Sequence, residues 1–113
     1  MHVTVDIEAR PRTARKRWTA QAANAFIDRA IAITGLRAIA ERQVAERGDV
    51  LMFYQLIAES HISGHLDRRH GRGWVDVFSC RPLEARLVQA AASKYLGADG
   101  TISLRCLDRG VLP

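Results

Sequence analysis

The sequence predicts an α+β fold: a two-layer sandwich in which a mainly antiparallel sheet carries two helices on one face. Four stretches read as strands, by alternation or by an apolar run of strand length. Two stretches repeat at the helical period instead, and the elements follow as strand, helix, an undecided segment, strand, strand, helix, strand. At 113 residues the chain holds one domain, 1–113, with a single core.

Residues 2–9 set Val3, Val5, Ile7 and Ala9 against His2, Thr4, Asp6 and Glu8, the pattern of a half-buried strand. Pro11 ends it, because proline cannot donate to a ladder. Arg15, Lys16 and Arg17 then form a basic cluster, readable as a solvated helix start or as an electrostatic feature, although cations at a helix N-terminus oppose its dipole. Over residues 18–34 the stripe Ala22, Ala23, Phe26, Ala30, Ile33 marks a helix that Gly35 can terminate. Residues 36–47 stay open: composition favours helix, and the periodicity supports neither state.

Gly48 and Asp49 make a turn, and the nearly continuous apolar run 50–58 reads as a buried central strand. A polar, glycine-containing connection over 63–73 leads to a strand over 74–80, with Trp74, Asp76, Phe78 and Cys80 on one face. Pro82 suits a first helical position, with Leu83, Leu87, Ala91 and Lys94 on successive turns before Gly97. Asp99 and Gly100 make a turn into a last strand bearing Ile102, Leu104 and Cys106.

Composition narrows the function classes. Hydrophobic residues at 48% and charged residues at 26% indicate a globular chain rather than a disordered one. No apolar stretch approaches the ~20 residues of a membrane span, the start does not read as a signal peptide, and two cysteines do not make a disulfide scaffold, so a cytoplasmic location is expected. The net charge of +5 invites a nucleic-acid partner. Few aromatic residues accompany the arginines, and no nucleic-acid motif is present, which argues against it.

The chemistry concentrates after the central strand. Glu59, Ser60 and His61 are followed by His65 and by Cys80, which brings a hydroxyl, imidazoles and a thiol within 21 residues. Each has an ordinary explanation, cysteine as a small buried hydrophobe among them. Together, Glu59-Ser60-His61, His65 and Asp76-Val77-Phe78-Ser79-Cys80 resemble the processing site of the bacterial and archaeal S-adenosylmethionine (AdoMet) decarboxylases, with the same spacing throughout. His2 to Asp6 and Gly35 extend the likeness over nearly the whole chain.

The resemblance implies an AdoMet decarboxylase-like fold and a self-cleaving, pyruvoyl-dependent decarboxylase of polyamine biosynthesis. Ser60 would attack the carbonyl of Glu59, and cleavage would give a beta chain, 1–59, and an alpha chain, 60–113, headed by a pyruvoyl group made from Ser60. That group would form a Schiff base with the substrate amine, and no external cofactor or metal would be needed. His65 matches the processing base, Cys80 the proton donor to the product α-carbon, and His61 a positioning residue. The family's assembly implies a homodimer of cleaved protomers.

Some positions depart from the family pattern. Leu66, Asp67, Arg68 and Arg69 stand where the family has Thr-Trp-Pro-Glu; its glutamate accepts from the ribose hydroxyls, and Arg69 has no acceptor. Glu46 falls where an aromatic residue stacks on adenine, and Met52 where a serine assists processing. With the nucleoside-holding residues lost, the expected substrate is a basic amino acid, arginine or ornithine, as in pyruvoyl enzymes on the same scaffold. Glu46, Asp67 and Arg69 are the candidate substrate-binding residues, while Arg68 and Arg69 would repel a cationic tail if they faced it. AdoMet itself and a catalytically silent homologue are the alternatives.

Overall fold

The computed structural model describes residues 1–97 and 102–107. In chain order the elements are strand β1 (His2–Glu8), helices α1 (Pro11–Arg17) and α2 (Ala20–Thr34), strands β2 (Gln43–Arg47), β3 (Val50–Ile57), β4 (Ser60–Asp67) and β5 (Arg72–Phe78), helix α3 (Ala85–Tyr95) and strand β6 (Ile102–Leu107). The strands form one antiparallel sheet in the order β2-β3-β4-β5-β1-β6. Among the described residues three helices lie on one face, one more than the sequence predicts, and none covers the other, open face. Among the described residues, no helix is long and apolar enough to cross a membrane.

Period-two patterning places the core. Val3, Val5 and Ile7 of β1, Leu51, Phe53 and Ile57 of β3, Ile62 and Leu66 of β4, and Val75 and Val77 of β5 all point to the helical face and are buried. Against them pack Phe26, Ile27 and Ala30 of α2 and Val88, Ala91 and Ala92 of α3. At Gly64 an added Cβ would run into the Phe53 ring, so the backbone of β4 lies directly beneath that side chain.

Several boundaries differ from expectation. The basic cluster occupies the last turn of the separate helix α1, where Arg15, Lys16 and Arg17 complement the dipole instead of opposing it. Trp18 starts no helix. It is fully buried between α1 and α2, its Nε1–H donating to the Leu96 carbonyl at 2.7 Å, and α2 begins after Thr19, whose side chain accepts from the Ala22 amide at 3.1 Å. Gly35 ends α2 as expected, at φ 71°.

The apolar run 50–57 is buried on one face only. Tyr54 and Leu56 alternate outward onto the open face. Much of the supposed connection over 63–73 is strand β4, whose alternation of His61, Ser63, His65 and Asp67 with Ile62, Gly64 and Leu66 is visible in the sequence. Helix α3 starts at Ala85, three residues beyond Pro82, with Glu84 at the N-cap and Leu87 outside the buried stripe. The turn expected at Asp99 and Gly100 lies outside the described residues.

The undecided segment 36–47 is a strand interrupted in the middle. Ala38 bridges Ile57 and β2 pairs with β3 further on, while between them the chain leaves the ladder. The buried Gln55 side chain fills the gap: its amide donates to Ala40 O at 2.8 Å and its oxygen accepts from Arg42 Nε at 3.0 Å. Arg42 continues to Asn24 Oδ1 at 3.1 Å and Asp28 Oδ1 at 2.7 Å, tying this edge to α2. A ladder maintained partly by side chains has no single sequence period.

Candidate active site

A two-residue turn, Ala58–Glu59, joins β3 to β4, and Ile57 pairs with Ser60 across it. No glycine or asparagine supplies the left-handed conformation, so Glu59 adopts it at φ 61°, a strain of about 1–2 kcal/mol for an L-residue. The neighbouring 37–39 segment pins the turn, with the Ala58 amide donating to Arg37 O at 2.8 Å.

Ser60 and Cys80 converge on the carbonyl that follows this strain. The Ser60 hydroxyl donates to Glu59 O, and the Cys80 thiol donates to the same oxygen at 3.2 Å. The Cys80 backbone N–H donates to Ser60 Oγ at 3.1 Å. Cys80 arrives there because β5 ends at Phe78. The buried Ser79 then donates its amide to Met1 O at 2.9 Å and accepts from the Arg81 amide on its hydroxyl at 3.0 Å, turning the chain outward. Cys80 is therefore off the strand face that Trp74, Asp76 and Phe78 share, and it is exposed rather than a core filler.

From this end a row of rings crosses the open face. His61 lies between Tyr54 and Phe78, with centroids at 5.4 and 5.8 Å in near-parallel stacks, and His2 meets Phe78 edge-on at 5.7 Å. Asp76 holds the row from beneath, accepting from Ser63 Oγ and lying 3.1 Å from His2 Nε2. His61 is thus a fixed part of the surface beside Ser60.

His65 is elsewhere. It pairs with Met52 on β3 and Trp74 on β5, five residues along β4 from Ser60, or about 17 Å, and of opposite parity. Within one chain it does not reach the Glu59 carbonyl.

Nor do the three candidate substrate-binding residues. Glu46 lies on β2 opposite Leu51, near the other end of the sheet, 3.5 Å from Arg68 Nη2. Asp67 organises the β4–β5 turn, accepting from the Arg69 and His70 amides at 3.0 and 3.3 Å and from His70 Nδ1 at 2.6 Å. The His70 side-chain bond holds its carboxyl below the ordinary carboxylate value. Arg69 is exposed in the same turn. Arg68 is a structural clamp, its guanidinium donating to Asp49 O at 3.2 Å, Trp18 O at 3.2 Å and Gly48 O at 3.0 Å.

The family resemblance pointed to Glu59, Ser60 and Cys80, which the fold brings together, while the strain at Glu59 and the aromatic surroundings of His61 and His65 emerge only in the fold.

A family model described as S-adenosylmethionine decarboxylase matches residues 1–110. Among solved structures, the adenosylmethionine decarboxylase of Aquifex aeolicus superposes with a TM-score of 0.69, covering 99% of this chain and 95% of that one at 16% sequence identity, a likeness of fold. No curated protein sequence matches the chain.

Proposed function

The chain belongs to the S-adenosylmethionine decarboxylase family, and from that premise we propose that it is a self-processing, pyruvoyl-dependent amino-acid decarboxylase that cuts itself between Glu59 and Ser60. The observation that carries this reading is the Glu59 carbonyl, set in a strained turn and contacted by both the Ser60 hydroxyl and the Cys80 thiol.

In the first step Ser60 Oγ bonds to the Glu59 carbonyl carbon. As the C–N bond breaks, the Ser60 nitrogen takes up a proton and an ester replaces the amide. The Cys80 thiol faces the oxygen on which negative charge gathers. A base then removes the Ser60 α-proton, the Cβ–Oγ bond breaks, and Glu59 departs with a free carboxylate. Water replaces the nitrogen of the remaining dehydroalanine as ammonia, leaving a ketone at position 60. Strain at Glu59 is relieved on cleavage, which favours the forward direction.

The residues fit a pyruvoyl group at this position: the Cys80 amide and thiol both face the hairpin end, and the exposure of Cys80 leaves an approach for substrate. Such a group supplies a ketone that captures the substrate amine and accepts the electron pair left by carbon dioxide. Cys80 is suited to return a proton to the α-carbon, and His65 to act as the base of processing.

Because His65 is about 17 Å from Ser60 along β4, this role requires His65 of the partner subunit. A homodimer packed through the open faces supplies it, and the exposed Tyr54, Leu56 and Trp74 on that face support such packing. Asp67 and Arg69, at the same end as His65, would approach the site in the same way, whereas Glu46, opposite Leu51, lies on the helical side of β2.

Arginine or ornithine is the substrate class favoured here. Arg69 replaces an acceptor needed for ribose, and Arg68, spent on three carbonyls, is not free to repel a cationic tail. AdoMet is the second reading, favoured by the family match. Intact-mass analysis should find pieces of 59 and 54 residues in the wild type and one uncut chain in Ser60→Ala. Cyanoborohydride trapping with arginine, ornithine and AdoMet in turn then names the substrate by its adduct on the 60–113 piece. A wild-type chain that stays whole defeats the reading and leaves the silent homologue.

A further inference from the structure

His65 and Trp74 are directly paired across β4 and β5 on the open face. Their rings stack with centroids 4.4 Å apart and planes only 4° from parallel. Trp74 remains 48% exposed within the chain and lies on the face away from the core. Burial within the chain therefore does not explain it, and an interface between copies would account for an apolar residue here but not for an indole stacked parallel on His65.

Stacking constrains an imidazole in a way that suits proton transfer. The indole covers a face of the ring, while the lone pair and N–H lie in the ring plane, pointing away from the stacking direction. The ring is held without its nitrogens being used. Its charged form is also tolerated, since a cation over an indole face is attracted to the π-system. The charged groups nearest on this face are Asp67 of β4, Arg72 and Asp76 of β5, and Asp6 of β1 opposite Trp74. Asp67 is bonded to His70, Asp76 to His2 and Ser63, and Asp6 to Arg105 at 3.3 Å. None is shown bonded to His65.

We infer that Trp74 is the positioning residue for His65, setting the imidazole plane from which the processing base works. The inference rests on the proposed self-cleavage, and its test separates the two. Cleavage is timed by denaturing gel in wild type, His65→Ala, Trp74→Ala and Trp74→Phe, with thermal melts to confirm folding. The expected pattern is loss of cleavage in His65→Ala, slowing of about tenfold or more in Trp74→Ala, as for a displaced catalytic group, and recovery in Trp74→Phe, which restores a stacking ring.

A second readout needs no cleavage. Imidazolium quenches a stacked indole, so tryptophan emission should fall on mild acidification, and His65→Ala should abolish the change. Trp18, fully buried with its N–H bonded to Leu96, contributes a steady background. Trp74→Ala cleaving at the wild-type rate while His65→Ala does not, or emission indifferent to His65, overturns the inference and leaves the proposed function standing. Normal cleavage in His65→Ala instead removes His65 from processing and the inference with it.

Discussion

The two ends of the sheet carry similar side chains and use them in opposite ways. At the Glu59 end, a hydroxyl and a thiol gather on a strained peptide carbonyl, an amide donates to that hydroxyl, and the cysteine is exposed. At the Arg68 end the polar groups are consumed by the fold: a guanidinium spans three carbonyls, Glu46 lies against it, and Asp67 caps a turn. A conspicuous charge in a sequence is therefore a poorer guide to chemistry than a modest group brought to a strained bond.

The largest effect that can break this contrast is at Cys80. Cys80→Ala should slow cleavage about tenfold, less than loss of a full oxyanion donor because a thiol donates weakly, and should leave the melting temperature nearly unchanged. Time-resolved gels and a thermal melt check both halves, and a large loss of stability would place Cys80 with the structural residues instead.

Arg68→Ala should show the reverse character. Leaving three carbonyls without their charged donor should cost about 2–3 kcal/mol, measured by urea unfolding. A smaller change is expected at the turn itself. Glu59→Gly removes the left-handed strain and should stabilise the uncut Ser60→Ala background by about 1 kcal/mol; no gain would show that the turn is relaxed.

The smallest effect is a titration. Because Asp67 has a lowered carboxyl pKa in the folded protein, its contribution to stability is present above the ordinary carboxylate value and is lost as pH falls through the lowered one. His70→Ala should move the Asp67 titration, followed by NMR, back upward toward that ordinary value. An unmoved titration would assign the shift to the backbone amides.

Much of the fold was legible because the core uses strict alternation: Val3, Val5, Ile7 and Val75, Val77 declare their strands directly. Strand β4 was harder to see. Histidines, serine and glycine occupy its alternating positions, and the turn before it lacks glycine. Segment 36–47 was opaque because Gln55, a side chain distant in sequence, completes its ladder. In the site, the motif pattern shared with the family, not spacing alone, pointed to Glu59, Ser60 and Cys80. It could not reveal that His65 lies far along the strand, since spacing gives separation along the chain and not the face or the end.

The strand order has a consequence for what cleavage would do. β1 belongs to the 1–59 piece, yet it sits between β5 and β6 of the other, while β3 borders β4 across the cut hairpin. The two pieces are threaded through one another like the fingers of clasped hands. Scission at Glu59–Ser60 would therefore change the covalent count without releasing a fragment: the pieces should part on a denaturing gel and travel together under native conditions. The new chain start would remain anchored at the edge of the molecule, where a substrate can reach it.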